Sequence, residues 1–234
     1  MLSVTGTVAT LGREQVSFTV DRRGVRAAAD IRVHVEDLTY AYGRNRRAVL
    51  SGLNLTLHAG DVALISGKNG TGKTTFLRVL TGRLRPQRGS VQAMGSVAFL
   101  PTRLEYHDRL TVLEEIRYLS RAGALEEAKL LESLAAWGLD IADLGEVREL
   151  SAGQRQRLGI AIVGAWEPDI ILLDEPTANL DARGQKQLHE WVGATADRGG
   201  CVVIATHDDD FLANAGLGNH GCSSKPTVAS KSTS

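Results

Sequence analysis

The sequence predicts a mixed α/β fold: a mainly parallel sheet, an antiparallel β portion on its N-terminal side, and an α-helical subdomain inserted between strands. Three observations point there. Short apolar runs recur at Val62–Ile65, Val97–Leu100, Asp169–Leu173 and Cys201–Ala205, as in strands buried on both faces. Helical spacing, first in Phe76, Leu77 and Leu80, alternates with them, the pattern of parallel strands joined by helices. Between residues 105 and 150 the spacing is helical alone, through Val112, Leu113, Ile116 and Leu119 and then Leu130, Leu131, Leu134 and Trp137.

Taken in chain order, residues 1–30 alternate weakly around Val16, Phe18 and Val20 before a charged stretch, and an edge strand or a loosely attached extension is expected. Ile31, Val33 and Val35, and then Leu53, Leu55 and Leu57, alternate as two half-buried strands. Val62–Ile65 runs into Gly67, the helix over Phe76–Leu80 stops near Gly82, and Pro101 closes the strand at Val97–Leu100. Thr111 to Glu114 and Ser151 to Gln154 have the S/T-x-x-E/Q form of a capping box, so helices are expected to start at both. The expected division is an α/β core over 31–104 and 151–215, inserted helices over 105–150, and a disordered tail over 216–234, where Gly, Ser, Thr and Lys leave too little apolar material to order the chain.

With 234 residues, 43% hydrophobic and 23% charged, the chain has apolar material for one or two cores, which excludes a largely disordered or fibrous protein. Lys plus Arg and Asp plus Glu stand at 27 each, so no net charge advertises a nucleic-acid partner. Cys201 and Cys222 are too few for a disulfide framework or a metal cluster and fit a reducing cytoplasm. No apolar run approaches the roughly 18 residues that cross a bilayer, and no export signal is read, so a cytoplasmic chain is expected.

The run Gly67-Lys-Asn-Gly-Thr-Gly-Lys-Thr fits G-x-x-x-x-G-K-[ST] at Gly67, Gly72, Lys73 and Thr74, between an apolar strand and a helix. A phosphate chain needs converging backbone N–H donors without side-chain obstruction, and a helix N-terminus adds favourable partial charge. Gly67, Asn69, Gly70, Gly72, Thr74 and Thr75 are therefore candidate phosphate-cradle residues. Lys73 would neutralise the terminal phosphates, and Thr74 would hold Mg²⁺ through its hydroxyl. Further on, Ile170-Ile-Leu-Leu ends in Asp174 and Glu175, a Walker B form. A buried strand would deliver Asp174 to the metal, while Glu175, pointing the other way, would polarise the water that attacks the γ-phosphorus.

Through Leu150-Ser151-Ala152-Gly153-Gln154, upstream of Asp174, the chain resembles the nucleotide-binding domains of ATP-binding cassette (ABC) proteins, whose LSGGQ signature appears here as LSAGQ. The resemblance covers roughly residues 31–212, with Ala178-Asn179-Leu180-Asp181 as the D-loop and His207 as the switch histidine. It implies a RecA-like P-loop NTPase core, hydrolysis of ATP with Mg²⁺, and two ATP molecules sandwiched head-to-tail between two such domains. Ser151, Gly153 and Gln154 would then touch the nucleotide of the partner subunit. His207 would contact the γ-phosphate and orient the attacking water, and Tyr42 would lie against adenine, with Tyr40 a less well-spaced substitute.

Two departures from the family pattern stand out. Thr102 follows the Val97–Leu100 strand where the family usually has a glutamine, and no glutamine occurs from Ala93 to Gly153. The stretch after His207 also lacks the strands that commonly finish the family's core.

Among ABC proteins, one cassette without a membrane span fits the energy-coupling subunit of a transporter on the cytoplasmic face of the membrane. Its partners would be a separate transmembrane permease and a second copy or paralogue. The LSAGQ form and the short end resemble the haem-export ATPases of cytochrome c maturation. Nucleic-acid and ribosome-associated ABC ATPases are one alternative, suggested only by the Lys- and Arg-rich segment Gly43–Arg88, where Asp61 is the sole carboxylate. A weakly hydrolysing regulatory module is the other, favoured by Thr102 and opposed by Glu175 and His207.

Overall fold

The computed structural model describes residues 2–11, 14–22, 30–43, 48–122 and 125–208. The tail expected over 216–234 lies outside them. The strands are β1 (Leu2–Leu11), β2 (Glu14–Arg22), β3 (Ile31–Tyr40), β4 (Leu50–His58), β5 (Asp61–Ser66), β6 (Arg88–Ala93), β7 (Val97–Leu100), β8 (Ile170–Asp174) and β9 (Cys201–Thr206). Among them run the helices α1 (Lys73–Leu80), α2 (Val112–Arg121), α3 (Glu127–Ala136), α4 (Ala152–Ala165) and α5 (Ala182–Asp197).

All these strands join one sheet in the order β6-β3-β4-β1-β2-β5-β9-β8-β7. From β5 to β7 the neighbours are parallel, and from β6 to β5 they are antiparallel, so the parallel core and the antiparallel N-terminal portion share one sheet. Every residue of β8 and β9 is buried. Their apolar runs do not alternate because each face has its own core. Ile171 and Leu173 pack with Ile116, Leu130, Leu158 and Leu188 of the helices, whereas Ile170 and Leu172 pack with Phe76 and Leu77 of α1.

Both capping boxes form. Thr111 Oγ1 accepts from the Glu114 N–H at 3.2 Å, and Glu114 accepts from the Thr111 N–H at 2.8 Å. Ser151 and Gln154 make the same exchange at the start of α4. Between Thr111 and Ser151 lie α2, α3 and two short 3₁₀ turns, with Val112, Ile116, Leu130, Leu134 and Trp137 buried.

One expectation is overturned. Residues 2–11 and 14–22 are neither an edge strand nor a loose extension: β1 and β2 form a hairpin inside the sheet, and β2 pairs with β5 from Ser17↔Ser66 to Arg22↔Asp61. The alternation of Phe18 and Val20 was a true sign of one buried face. Alternation reports which face is covered, though, and is silent on how many edges are paired. Two elements had no warning. β6 is mostly exposed and carries Arg88 and Gly89, and α5 is marked chiefly by its cap, Asp181, which accepts from the Gly184 N–H at 2.8 Å.

Candidate functional site

Because β5, β9 and β8 are parallel neighbours, the segments leaving their C-terminal ends converge: the glycine loop after β5, Glu175 after β8, and His207 after β9. Gly72, just before α1, sits at φ 108°, and a Cβ there would lie 2.7 Å from Val49 Cγ1, so backbone and space both require glycine. α1 then starts at Lys73 with the unpaired N–H groups of its first turn at the loop. Asn69 and Gly70 are exposed at the loop tip, and Thr75 is buried.

Lys73 is 6% exposed and donates through Nζ to the carbonyl oxygens of Gly67 and Lys68, with Glu175 Oε1 3.5 Å away. Thr74 Oγ1 donates to the Asp174 carboxylate, at 2.8 Å from Oδ2 and 3.1 Å from Oδ1. Glu175 Oε2 accepts from the His207 N–H at 3.2 Å and lies 2.8 Å from His207 Nδ1, which donates in the matching tautomer. One network thus ties together all three segments. The backbone helps separate the two acids, because Glu175 holds a left-handed φ of 53° and donates its N–H to the Ala205 carbonyl at 2.7 Å. A left-handed conformation is unusual for a non-glycine residue, and here it falls where the strand must turn Glu175 away from Asp174.

The Tyr42 hydroxyl lies 3.0 Å from Thr75 Oγ1, and its ring stands edge-on to Tyr40 with centroids 5.1 Å apart. At 40% exposure, Tyr42 keeps ring surface open beside the first turn of α1.

Ser151, Gly153 and Gln154 form a second group at the N-terminus of α4. Ser151 Oγ already accepts from Gln154, which leaves its O–H to donate. Gly153 is read in the sequence as room for a phosphate. In the structure its close approach is to the chain itself, since a Cβ would come within 2.9 Å of the Asn179 carbonyl oxygen.

Two residues of this helix were missed by motif reading. Buried Gln156 donates to the Pro176 carbonyl at 3.0 Å, and Arg157 pairs with Asp181 at 3.0 Å. The signal available was Gln156 as a polar side chain on the inner face of a helix whose start at Ser151 was legible. The Gly184 N–H and the Arg157 guanidinium hold the Asp181 carboxyl below the usual carboxylate range. Thr102 lines a cavity of about 670 Å³ together with Thr74, Asp174, Arg78, Arg83 and Tyr106.

Among the described residues no cluster of three or more His, Cys, Asp or Glu is placed to hold a metal. A cation near Thr74 and Asp174 would therefore have one hydroxyl and one buried carboxylate from the chain. Both are hard oxygen donors suited to Mg²⁺ with phosphate oxygens and water completing its shell.

Comparison with known proteins brings in relatives. The sequence model of the family described as ABC transporter matches residues 50–178. The cytochrome c biogenesis ATP-binding export protein CcmA of Shigella sonnei is 37% identical over 177 residues, covering 70% of this chain and 84% of that protein. A putative ABC transporter ATP-binding protein of Clostridium tetani is 29% identical over 202 residues, and this chain spans about half of it, 46%. Among solved structures, a putative metal-chelate type ABC transporter in an inward-facing conformation superposes with a TM-score of 0.65 at 28% identity, covering 79% of this chain and 76% of that one. For cbiO1 of Clostridium perfringens, part of the transporter complex cbiONQ, the TM-score is 0.66 at 26% identity, with coverages of 80% and 82%.

Proposed function

Since the chain belongs to the ABC transporter family, as an ATP-binding domain of its P-loop fold, we propose that it is the ATP-hydrolysing subunit of a transporter. On this reading it dimerises on ATP and acts through a separate membrane-spanning permease, at the cytoplasmic face of the membrane. No helix among the described residues is long and apolar enough to cross a bilayer, so the permease would be another chain. The relatives named as cytochrome c biogenesis export proteins support export as the direction.

The observation that carries the reading is the network joining Lys73, Glu175 and His207 beside Thr74 and Asp174. Lys73 would exchange its bonds to the loop carbonyls for the terminal phosphates. Thr74 and Asp174 would hold Mg²⁺, which neutralises charge on the phosphate oxygens when bound. Glu175 would take the proton of the attacking water, with His207 Nδ1 fixing its carboxylate. Tyr42 would receive the adenine, and Asn69, Gly70 and Thr75 would complete the cradle. Ser151, Gly153 and Gln154 would serve the nucleotide of the second subunit, and residues 105–150 would form the docking subdomain.

Sizing Glu175→Gln with and without Mg-ATP tests the dimer. A shift to twice the monomer mass with nucleotide is expected, and a persistent monomer at high concentration counts against it. Co-purification separates the transporter from the first of its alternatives: a multi-span membrane protein supports the proposal, and ribosomes in its place would support a ribosome-associated ATPase.

A further inference from the structure

The hairpin of β1 and β2 precedes the residues that match the family, yet it lies against the strand that feeds the phosphate loop. β2 pairs with every residue of β5, up to Ser17↔Ser66, and Ser66 is the last residue before the glycine loop. From the same strand Phe18, 2% exposed, meets Phe76 edge-on, with ring centroids 5.8 Å apart and planes at 88°. Phe76 is fully buried in the first turn of α1, directly after Lys73, Thr74 and Thr75, and its N–H closes the first bond of that helix onto the Gly72 carbonyl at 2.9 Å. The rotation of α1 about its axis decides where Lys73 and Thr74 point. A ring locked at Phe76 fixes that rotation.

We infer that Phe18 of the N-terminal hairpin is a positioning residue for the nucleotide site, which sets the phosphate-binding turn of α1 through Phe76. This rests on the reading of that loop as the ATP site. Val20, on the same strand and also buried at 7% exposure, pairs with Ala63 farther down β5 and provides the control.

The experiment measures ATP affinity, turnover and melting temperature for the full chain and for Phe18→Ala, Phe18→Leu and Val20→Ala. Both alanine variants are expected to melt earlier, since each leaves a cavity in the same core. Phe18→Ala should also weaken ATP affinity by about tenfold at temperatures where the fold is intact, a change of ~1.4 kcal/mol, while kcat at saturation stays within about twofold. Phe18→Leu, which refills most of the space, should recover the affinity, and Val20→Ala should keep it. Unchanged affinity in Phe18→Ala, or equal losses in Phe18→Ala and Val20→Ala, would overturn the inference and reduce the hairpin to general support. Failure of the unmodified chain to bind ATP would instead overturn the reading of the loop itself.

Discussion

The loop group and the signature group are built on opposite plans. Lys73, Thr74, Asp174, Glu175 and His207 come from three segments and bond to one another across them. Ser151 and Gln154 bond to each other within a single helix start, and Gly153 meets the Asn179 carbonyl of the loop that follows β8. The first group already has internal partners for its charges, which ATP and a cation would replace. In the second, the Ser151 O–H and the N-terminus of α4 face outward with attraction for an anion and without a charged side chain of the signature to supply it. On the proposed reading, a single chain would therefore carry one complete and one dependent half of a phosphate site, and the dependent half would gain its purpose from a second subunit.

On the proposed mechanism, the complete half should be broken most severely by removing Glu175 as its base. Glu175→Gln should slow hydrolysis by about 10² to 10⁴ while ATP affinity holds, because the amide keeps the shape and loses the proton acceptor. Lys73→Ala should instead lower affinity itself, since Lys73 is the buried cation of the loop. Nucleotide titration alongside turnover separates the two roles, and equal affinity losses would refute the assignment.

The dependent half should respond differently. Ser151→Ala is expected to lower turnover about tenfold, and mixing it with Glu175→Gln should restore activity. In a mixed dimer the intact loop of the Ser151→Ala chain meets the intact signature of the Glu175→Gln chain. No recovery on mixing would mean that the signature serves its own chain.

What the sequence made legible follows the same contrast. Local patterns carried far: both capping boxes, the apolar strands and the strand-loop-helix around Gly67–Thr74 depend on neighbours a few residues away, and the structure has them. Partnerships over long separation did not show. Nothing around Phe18 announced its pairing with β5, since alternation is the same for an edge strand and an inner one. Gly153 was readable as a site of close approach, but whether the approaching group is a phosphate or the Asn179 carbonyl depends on a loop brought there by β8. The left-handed turn at Glu175 was equally hidden, because the residue is neither glycine nor asparagine and its N–H bonds to Ala205, thirty residues farther along the chain.

Thr102 offers a way to sharpen the comparison, because it lines the same cavity as Thr74 and Asp174 and belongs to neither group. A threonine reaches less far than the glutamine usual in this family, so hydrolysis should depend only loosely on the permease. Thr102→Gln should raise permease-stimulated turnover a few-fold and leave basal turnover nearly unchanged. Equal effects on both would place the coupling in the helices between Thr111 and Ser151.

The smallest effect is expected at Asp181, which ties α5 to the signature helix. Its carboxylate caps α5 through the Gly184 N–H and pairs with Arg157 of α4, and these contacts hold its pKa below the usual value. A carboxyl depressed in the folded state adds stability above its unfolded pKa of about 4, and that contribution is lost as pH falls through the lower folded value. Because Asp181 is exposed, solvent keeps the contribution small. Asp181→Asn retains a side chain able to cap the helix and removes the charge. The variant should therefore melt slightly below the unmodified protein at neutral pH, and the gap should close in acid below the folded value. Melting curves across that range check it. A gap that persists in acid would show that shape rather than charge fastens α5 to the signature helix.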